Sequence, residues 1–294
     1  MTCRRRSWLL APAACLLASA GFVFSGQPAW PGDFHFVILG DRTGETQGDA
    51  FQRVWREAGA GNPAFVVTAG DTIQGFHDAT AESEWREVER IFGSYRRDRL
   101  FLTPGNHDIW SPASEKLFVK YAGHPPHYSF DYGPAHFTIL DNSRSDELSP
   151  EEIRFLETDL KAHVSQPLKF IVSHRPSWLF NAVAGHTDFP LQRLARQYGV
   201  QYVIAGHLHE MLHFRLEGVD YISVPSAGGH LRGAQKYEDG WFFGYIGVDI
   251  RKNEANFQMH FRVNEIPLSG QLRRVTELSD WGPAGLSASL QAPG

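Results

Sequence analysis

RLFLTPGNHD, Arg99 to Asp108, is the stretch whose reading decides the fold. An apolar run reaches Thr103, Pro104 and Gly105 break it, and Asn106, His107 and Asp108 stand at its tip. Four other runs end the same way: FHFVILG before Asp41, FVVTAG before Asp71, KFIVS before His174, and QYVIAG before His207-Leu208-His209. Unbroken apolar runs of this length mark strands buried on both faces of a parallel sheet. In open α/β sheets, ligands bind just outside the carboxyl ends of such strands. Five strand ends carrying Asp, Asn and His therefore describe one crevice lined with metal ligands, and they predict an enzyme site for two metal ions.

Working outward from these tips, the segments between them read as helices. Phe51, Val54, Trp55 and Ala58 share one face of a helix over 47–60, and Trp85, Val88, Ile91 and Phe92 share one face of a helix over 82–96. Both faces read as core. Ser149-Pro150-Glu151-Glu152 starts another helix, with a cap at Ser149 and proline in the first turn. Tyr128–Tyr132 and Ala135–Asp141 form a hairpin around Gly133-Pro134, and a helix over 190–198 precedes the run ending at His207. From Met211 onward the pattern turns to antiparallel strands, a closing meander. The sum suggests two sheets packed face to face with helices outside. Three stretches are expected: an export signal and linker over 1–26, a catalytic domain over 33–263, and a mobile C-terminal extension over 264–294.

Composition excludes several classes. The chain has 294 residues, of which 42% are hydrophobic and 21% charged, an ordinary globular balance. A net charge of −5 lacks the basic footprint of nucleic-acid binding, so no stable nucleic-acid partner is expected. Arg4-Arg5-Arg6 precede an apolar stretch from Trp8 to about Phe24, and Ala18-Ser19-Ala20 offers a small-x-small cleavage site. Arg5-Arg6-Ser7-Trp8-Leu9-Leu10 resembles a twin-arginine signal, and an ordinary Sec signal reads equally well. Either predicts export to the periplasm or beyond, with membrane contact only through an uncleaved signal. Cleavage after Ala20 would remove Cys3 and Cys15, the only cysteines. That leaves no thiolate for a metal, a disulfide or a nucleophile.

A metal held only by oxygen and nitrogen from Asp, Asn and His suits Mn, Fe or Zn ions. Two such cations about 3.5–4 Å apart need a bridging anion, a role open to Asp71, with hydroxide as the second bridge and nucleophile. Together, Gly40-Asp41, Gly70-Asp71, Gly105-Asn106-His107-Asp108, Ser173-His174 and Gly206-His207-Leu208-His209 resemble the motifs of the calcineurin-like metallophosphoesterases. They occur in the family order over about 170 residues. The resemblance implies an α/β fold, a four-layer αββα sandwich of two packed mixed sheets around a dinuclear centre. It implies a hydrolase acting on small phosphomonoesters or phosphodiesters by direct attack of metal-bound hydroxide. In that scheme Asp41, Asp71 and His209 hold the first divalent or trivalent ion. Asp71, Asn106, His174 and His207 hold the second, and His107 is the catalytic residue that protonates the leaving oxygen.

Two departures from the family pattern stand out. The first motif is usually Asp-x-His, but this chain reads Asp41-Arg42-Thr43, and Gln74 stands where the protein phosphatase branch has an acid orienting the catalytic histidine. The loss at Thr43 leaves a water or a nearby loop residue such as His77 to complete the first ion's shell. It also leaves open a mononuclear enzyme or a catalytically weak metal-binding scaffold. Arg42 and Arg175 are the expected substrate-binding residues, Arg42 through its planar fork. Trp178 and Phe180, after His174, are candidates to stack on an aromatic leaving group, and ordinary loop packing is the competing reading. Asn142 and Arg144 face the site or make a turn. Substrate choice is expected to reside in Ser177–Thr187 and Ser226–Gly240.

Overall fold

Why the apolar runs lack alternation is plain from β1 (Phe34–Leu39). Phe36 and Ile38 point into a core shared by two sheets, while Val37 and Leu39 pack against helices on the other side. Both faces are buried, so both need apolar side chains. The computed structural model describes residues 32–93, 99–231, 240–262 and 274–277. The expected export segment over 1–26, and most of the extension over 264–294, lie outside the described residues.

After β1 come α1 (Ala50–Ala60), β2 (Val66–Thr68), α2 (Asp78–Phe92), β3 (Leu100–Phe101) and α3 (Pro112–Ala122). The second half holds β4 (Tyr128–Tyr132), β5 (Ala135–Ile139), α4 (Pro150–Ala162), β6 (Leu168–Val172), α5 (Leu179–Ala184) and α6 (Pro190–Gln197). It closes with β7 (Tyr202–Ala205), β8 (Leu212–Leu216), β9 (Val219–Ser223), β10 (Phe243–Arg251), β11 (Glu254–Arg262) and β12 (Arg274–Glu277). The expected face of α1 is the buried one. At α4, Ser149 Oγ accepts from Glu152 N at 3.2 Å, with proline in the first turn, as the local sequence predicts. α2 starts at Asp78, earlier than its apolar spacing indicates, because Asp78-Ala79-Thr80 carries no apolar periodicity to read.

The first sheet has the order β12-β11-β10-β1-β2-β3, and the second β4-β5-β6-β7-β9-β8. β1, β2 and β3 run parallel, as do β5, β6, β7 and β9. The closing strands are not one meander. β8 and β9 pair in the second sheet, whereas β10 crosses to the first and lies antiparallel to β1. The extension contributes β12, paired antiparallel to β11 at the sheet edge, where no alternation in sequence announces a strand. Loop 177–187 likewise contains α5, too short to show helical spacing.

Aromatic side chains fill the space between the sheets. Phe137 stacks on Phe170 with centroids 4.6 Å apart and meets Phe36 and Phe65 edge-on at 5.3 and 5.4 Å. A separate apolar layer joins β6, β7 and β9 to α4, α5 and α6, and another joins β1 and β2 to α1 and α2. The result is the four-layer αββα sandwich expected above.

Candidate metal centre

The candidate ligand residues occupy the turns that follow the parallel strands, and these turns bend sharply. Asp71, His207 and His209 have φ of 56°, 70° and 63°, a left-handed conformation rare outside glycine. Such backbone strain concentrates at functional sites. It also separates His207 from His209. On a straight strand their spacing of two would place them on one face, but β7 has ended at Ala205. His207 turns toward Asp71 and His174, and His209 toward Asp41 and Asp71. Two glycines allow the turns to close on one another. A Cβ on Gly105 would lie 2.2 Å from Asp71 Oδ1, and one on Gly206 would lie 2.6 Å from Asp41 Oδ1.

The side chains meet in two groups that share one carboxylate. Ligand atoms of Asp71, His174 and His207 lie within 4.8 Å of one another, and so do those of Asp41, Asp71 and His209. Asn106 joins the first group, its Oδ1 2.9 Å from His174 Nε2. That nitrogen is also 3.3 Å from Asp71 Oδ1 and 3.2 Å from His207 Nδ1. In the second group, His209 Nε2 lies 3.6 Å from Asp41 Oδ2. The His207 backbone N–H donates to both Asp41 oxygens at 2.9 and 2.8 Å, joining the two sheets across the site.

Main-chain carbonyls fix the histidines. His174 Nδ1 donates to Ala69 O at 2.8 Å, and His209 Nδ1 donates to His230 O. Because a carbonyl only accepts, Nδ1 carries the proton and Nε2 faces the centre, as is usual for metal-binding histidines. His107 belongs to neither group. Its Nδ1 donates to Gln74 O at 2.5 Å, its backbone N–H to Asp71 Oδ1 at 2.9 Å, and its Nε2 lies 3.9 Å from Asp71 Oδ2. The Gln74 main chain thus orients His107 where the protein phosphatase branch has an acid side chain.

Electrostatics in the cluster are set by burial and by the carboxylate–imidazole pairs. Burial alone would lower the His174 imidazole, but Asp71 and then Asp41 outweigh it and push it up to about 9. Burial would raise Asp71, but His174 and His107 hold it well below the usual carboxylate range. Asp41 goes up, because burial outweighs the pull of His209 and His174. Asp108 lies beneath the site, with burial and the Asp71 charge pushing it up to about 7. It accepts from the N–H groups of Thr72, Ile73 and Gly105 at 2.8, 3.1 and 2.9 Å, tying the turn after β2 to the turn after β3.

With this geometry in view, residues 32–211 match the sequence pattern of the calcineurin-like phosphoesterases, more than half of the chain. The chain belongs to that family. It is similar to purple acid phosphatase 15 of Arabidopsis thaliana, 27% identical over 128 residues, or 37% of this chain and 24% of the relative. Purple acid phosphatase PPD1 from yellow lupin (Lupinus luteus) seeds shares the fold with a TM-score of 0.59 at 16% identity, over 84% of this chain and 54% of that one. So does GAP50, the anchor in the inner membrane complex of Plasmodium, with a TM-score of 0.56 at 15% identity, over 83% and 88%. The chain spans about a quarter of the Arabidopsis relative and about half of the lupin chain.

Calcineurin-like phosphoesterases use divalent metal ions, and the donor set here fits them. It offers carboxylate and amide oxygens with imidazole nitrogens and no thiolate. The departures at Thr43 and Gln74 meet each other, since Thr43 Oγ1 donates to Gln74 Oε1 at 2.6 Å. Among the described residues, three side chains of the second group could therefore hold an ion. His77 is exposed at the N-cap of α2 and belongs to neither group.

The arginines point to other partners. Arg42 donates to Thr72 O at 3.1 Å and to Glu87 at 3.2 Å, with its guanidinium over the Phe51 ring, which makes it a brace between β1 and α2. Arg175 pairs with Asp146. Trp178 is fully buried against Phe214 and Tyr221, while Phe180 is exposed. Asn142 Oδ1 accepts from the backbone N–H groups of His174 and Arg175, both at 3.0 Å, and so sets the His174 turn. Its position just past β5 repeats the strand-end signal. Nothing in sequence marks the carbonyls of Ala69, Gln74 and His230, because any residue supplies one.

Proposed function

We propose that this calcineurin-like phosphoesterase hydrolyses small phosphate monoesters or diesters at a centre of two metal ions, Mn, Fe or Zn. The observation that carries the reading is the pair of ligand groups sharing Asp71 with His107 beside them. Asp41, Asp71 and His209 would hold one ion, and Asp71, Asn106, His174 and His207 the other. When bound, such ions neutralise phosphoryl oxygens and make a water nucleophilic at neutral pH. The water oxygen forms the new bond to phosphorus, and the bond to the leaving oxygen breaks. His107, with Nδ1–H held by Gln74 O, gives its Nε2 proton to that oxygen. Asn142 and Asp108 act earlier, by holding the turns that carry the ligands.

The test is hydrolysis of p-nitrophenyl phosphate and bis-p-nitrophenyl phosphate by metal-stripped protein titrated with Mn²⁺, Fe²⁺ or Zn²⁺, beside Asn106→Ala. Metal-dependent turnover that disappears in the variant is expected, with two ions bound per chain. One ion per chain with turnover would make the enzyme mononuclear. The Thr43–Gln74 bond favours a second reading, a metal-binding module with weak catalysis, because it leaves one group short of a ligand. Metal binding without turnover of either ester would select it.

A further inference from the structure

Phe76 stands beside the site in a conformation that needs an explanation. The residue is 49% exposed and its backbone has φ of 64°, in a region bulky side chains rarely adopt. The turn imposing this conformation is pinned by its neighbours. Gln74 O accepts from His107 Nδ1 at 2.5 Å, and the Gly75 N–H donates to Glu84 Oε2 at 2.8 Å. A Cβ on Gly75 would lie 1.9 Å from His107 O, so the loop has no room to shift that way. The Phe76 ring stands edge-on to the His107 imidazole, with centroids 4.5 Å apart and planes at 62°, and 5.9 Å from Trp110. Packing alone favours burying such a residue, yet about half of it is left to solvent. A pinned, half-exposed aromatic ring next to a catalytic imidazole is a preorganised contact surface.

We propose that Phe76 and Trp110 form an aromatic shelf for the leaving group of aryl or heteroaromatic phosphate esters, which makes Phe76 a specificity-determining residue. The inference rests on the hydrolase reading above. A leaving oxygen protonated by His107 departs next to the imidazole, within reach of the ring that flanks it. A planar leaving group gains offset or edge-to-face contact there, and an alkyl or polyol group gains less.

The experiment compares 1-naphthyl phosphate with glycerol 2-phosphate on the metal-loaded full chain, for wild type, Phe76→Ala and Phe76→Leu. Each variant is set against wild type on the same ester, so intrinsic leaving-group reactivity cancels. The aryl-over-alkyl preference in kcat/KM should fall about three- to ten-fold in Phe76→Ala, mainly through KM, with the pH profile unmoved. Phe76→Leu should fall between. Equal losses on both esters, or a shifted pH profile, would mean that Phe76 merely props His107, and would overturn the proposal. Calorimetric binding of phenylphosphonate and methylphosphonate separates this idea from the hydrolase reading. Wild type without turnover, but with a phenylphosphonate preference lost in Phe76→Ala, would keep the shelf and remove the hydrolase. Turnover with no aryl preference in either assay would do the reverse.

Discussion

At the scale of single residues, the site is held by charges that exist only because the chain has folded. Asp71 serves both ligand groups, and its carboxylate keeps His174 protonated to about pH 9 in the metal-free protein. The sign follows from an imidazole raised above its ordinary 6.5. The pairing contributes stability that is complete below pH 6.5 and is lost as pH rises through about 9. A metal ion at His174 Nε2 must expel that proton. Metal affinity should therefore strengthen from pH 6 toward pH 9, with proton release at neutral pH. Calorimetry in buffers of different ionisation enthalpy checks this, and an apparent enthalpy independent of buffer would refute it. The residues that cluster were legible in sequence because each stands at or just past a strand end, after a glycine at Asp41, Asp71, Asn106 and His207. The roles of Arg42 and Gln74 were not. Arg42 has the chemistry of a phosphate clamp and spends it on Thr72 and Glu87, while Gln74 acts through its main chain.

At the scale of elements, a buried polar network joins α4 to the β4–β5 hairpin on the second sheet. His136 bridges Asp131 Oδ1 at 2.7 Å and Asp159 Oδ2 at 2.8 Å, and Thr138 and Ser129 donate to Asp159 at 2.6 and 2.7 Å. Ligand atoms of Asp131, His136 and His163 also lie within 4.8 Å. The two imidazoles, however, stack at 3.9 Å and 16°, so their in-plane lone pairs run side by side instead of converging on one ion. Asp131, His136 and Asp159 form a salt-bridged triad instead. Burial alone would lower His136, but Asp131 and Asp159 outweigh it and raise it; burial would raise both acids, but His136 outweighs it and lowers them. The His136 contribution is complete below 6.5 and fades as pH rises through its raised value. The carboxylate contribution is complete above 3.8 and fades as pH falls through the lowered values. The triad should therefore stabilise most between pH 3.8 and 6.5. His136→Leu is expected to cost about 3–5 kcal/mol near pH 6, because it strands two acids, and less in alkali. Urea unfolding at pH 6 and pH 9 measures the difference, and an equal loss at both would show that His136 carries no charge.

At the scale of the whole molecule, the site depends on two sheets meeting, since Asp41 and Asp71 come from one and His174, His207 and His209 from the other. What aligns them is the aromatic core between the sheets. Phe137→Ala should cost about 3–5 kcal/mol and weaken metal binding too, although it touches no ligand. Denaturant unfolding and metal titration of the same variant test this, and full metal affinity after the stability loss would show the ends to be held by their own turns. Most strands, the principal helices and the clustering of strand-end Asp, Asn and His residues were legible in the sequence, because burial on both faces, helical spacing and strand-end chemistry are local and periodic. The tertiary structure decided the rest. β10 leaves the expected meander for the first sheet, α5 forms without a readable period, and β12 adds an edge strand through backbone pairing. Which nitrogen each histidine presents, which arginine is a brace and which phenylalanine stays in solvent depend on contacts between residues far apart in the chain. Those contacts carry no local periodicity, and many run through main-chain carbonyls that every residue possesses.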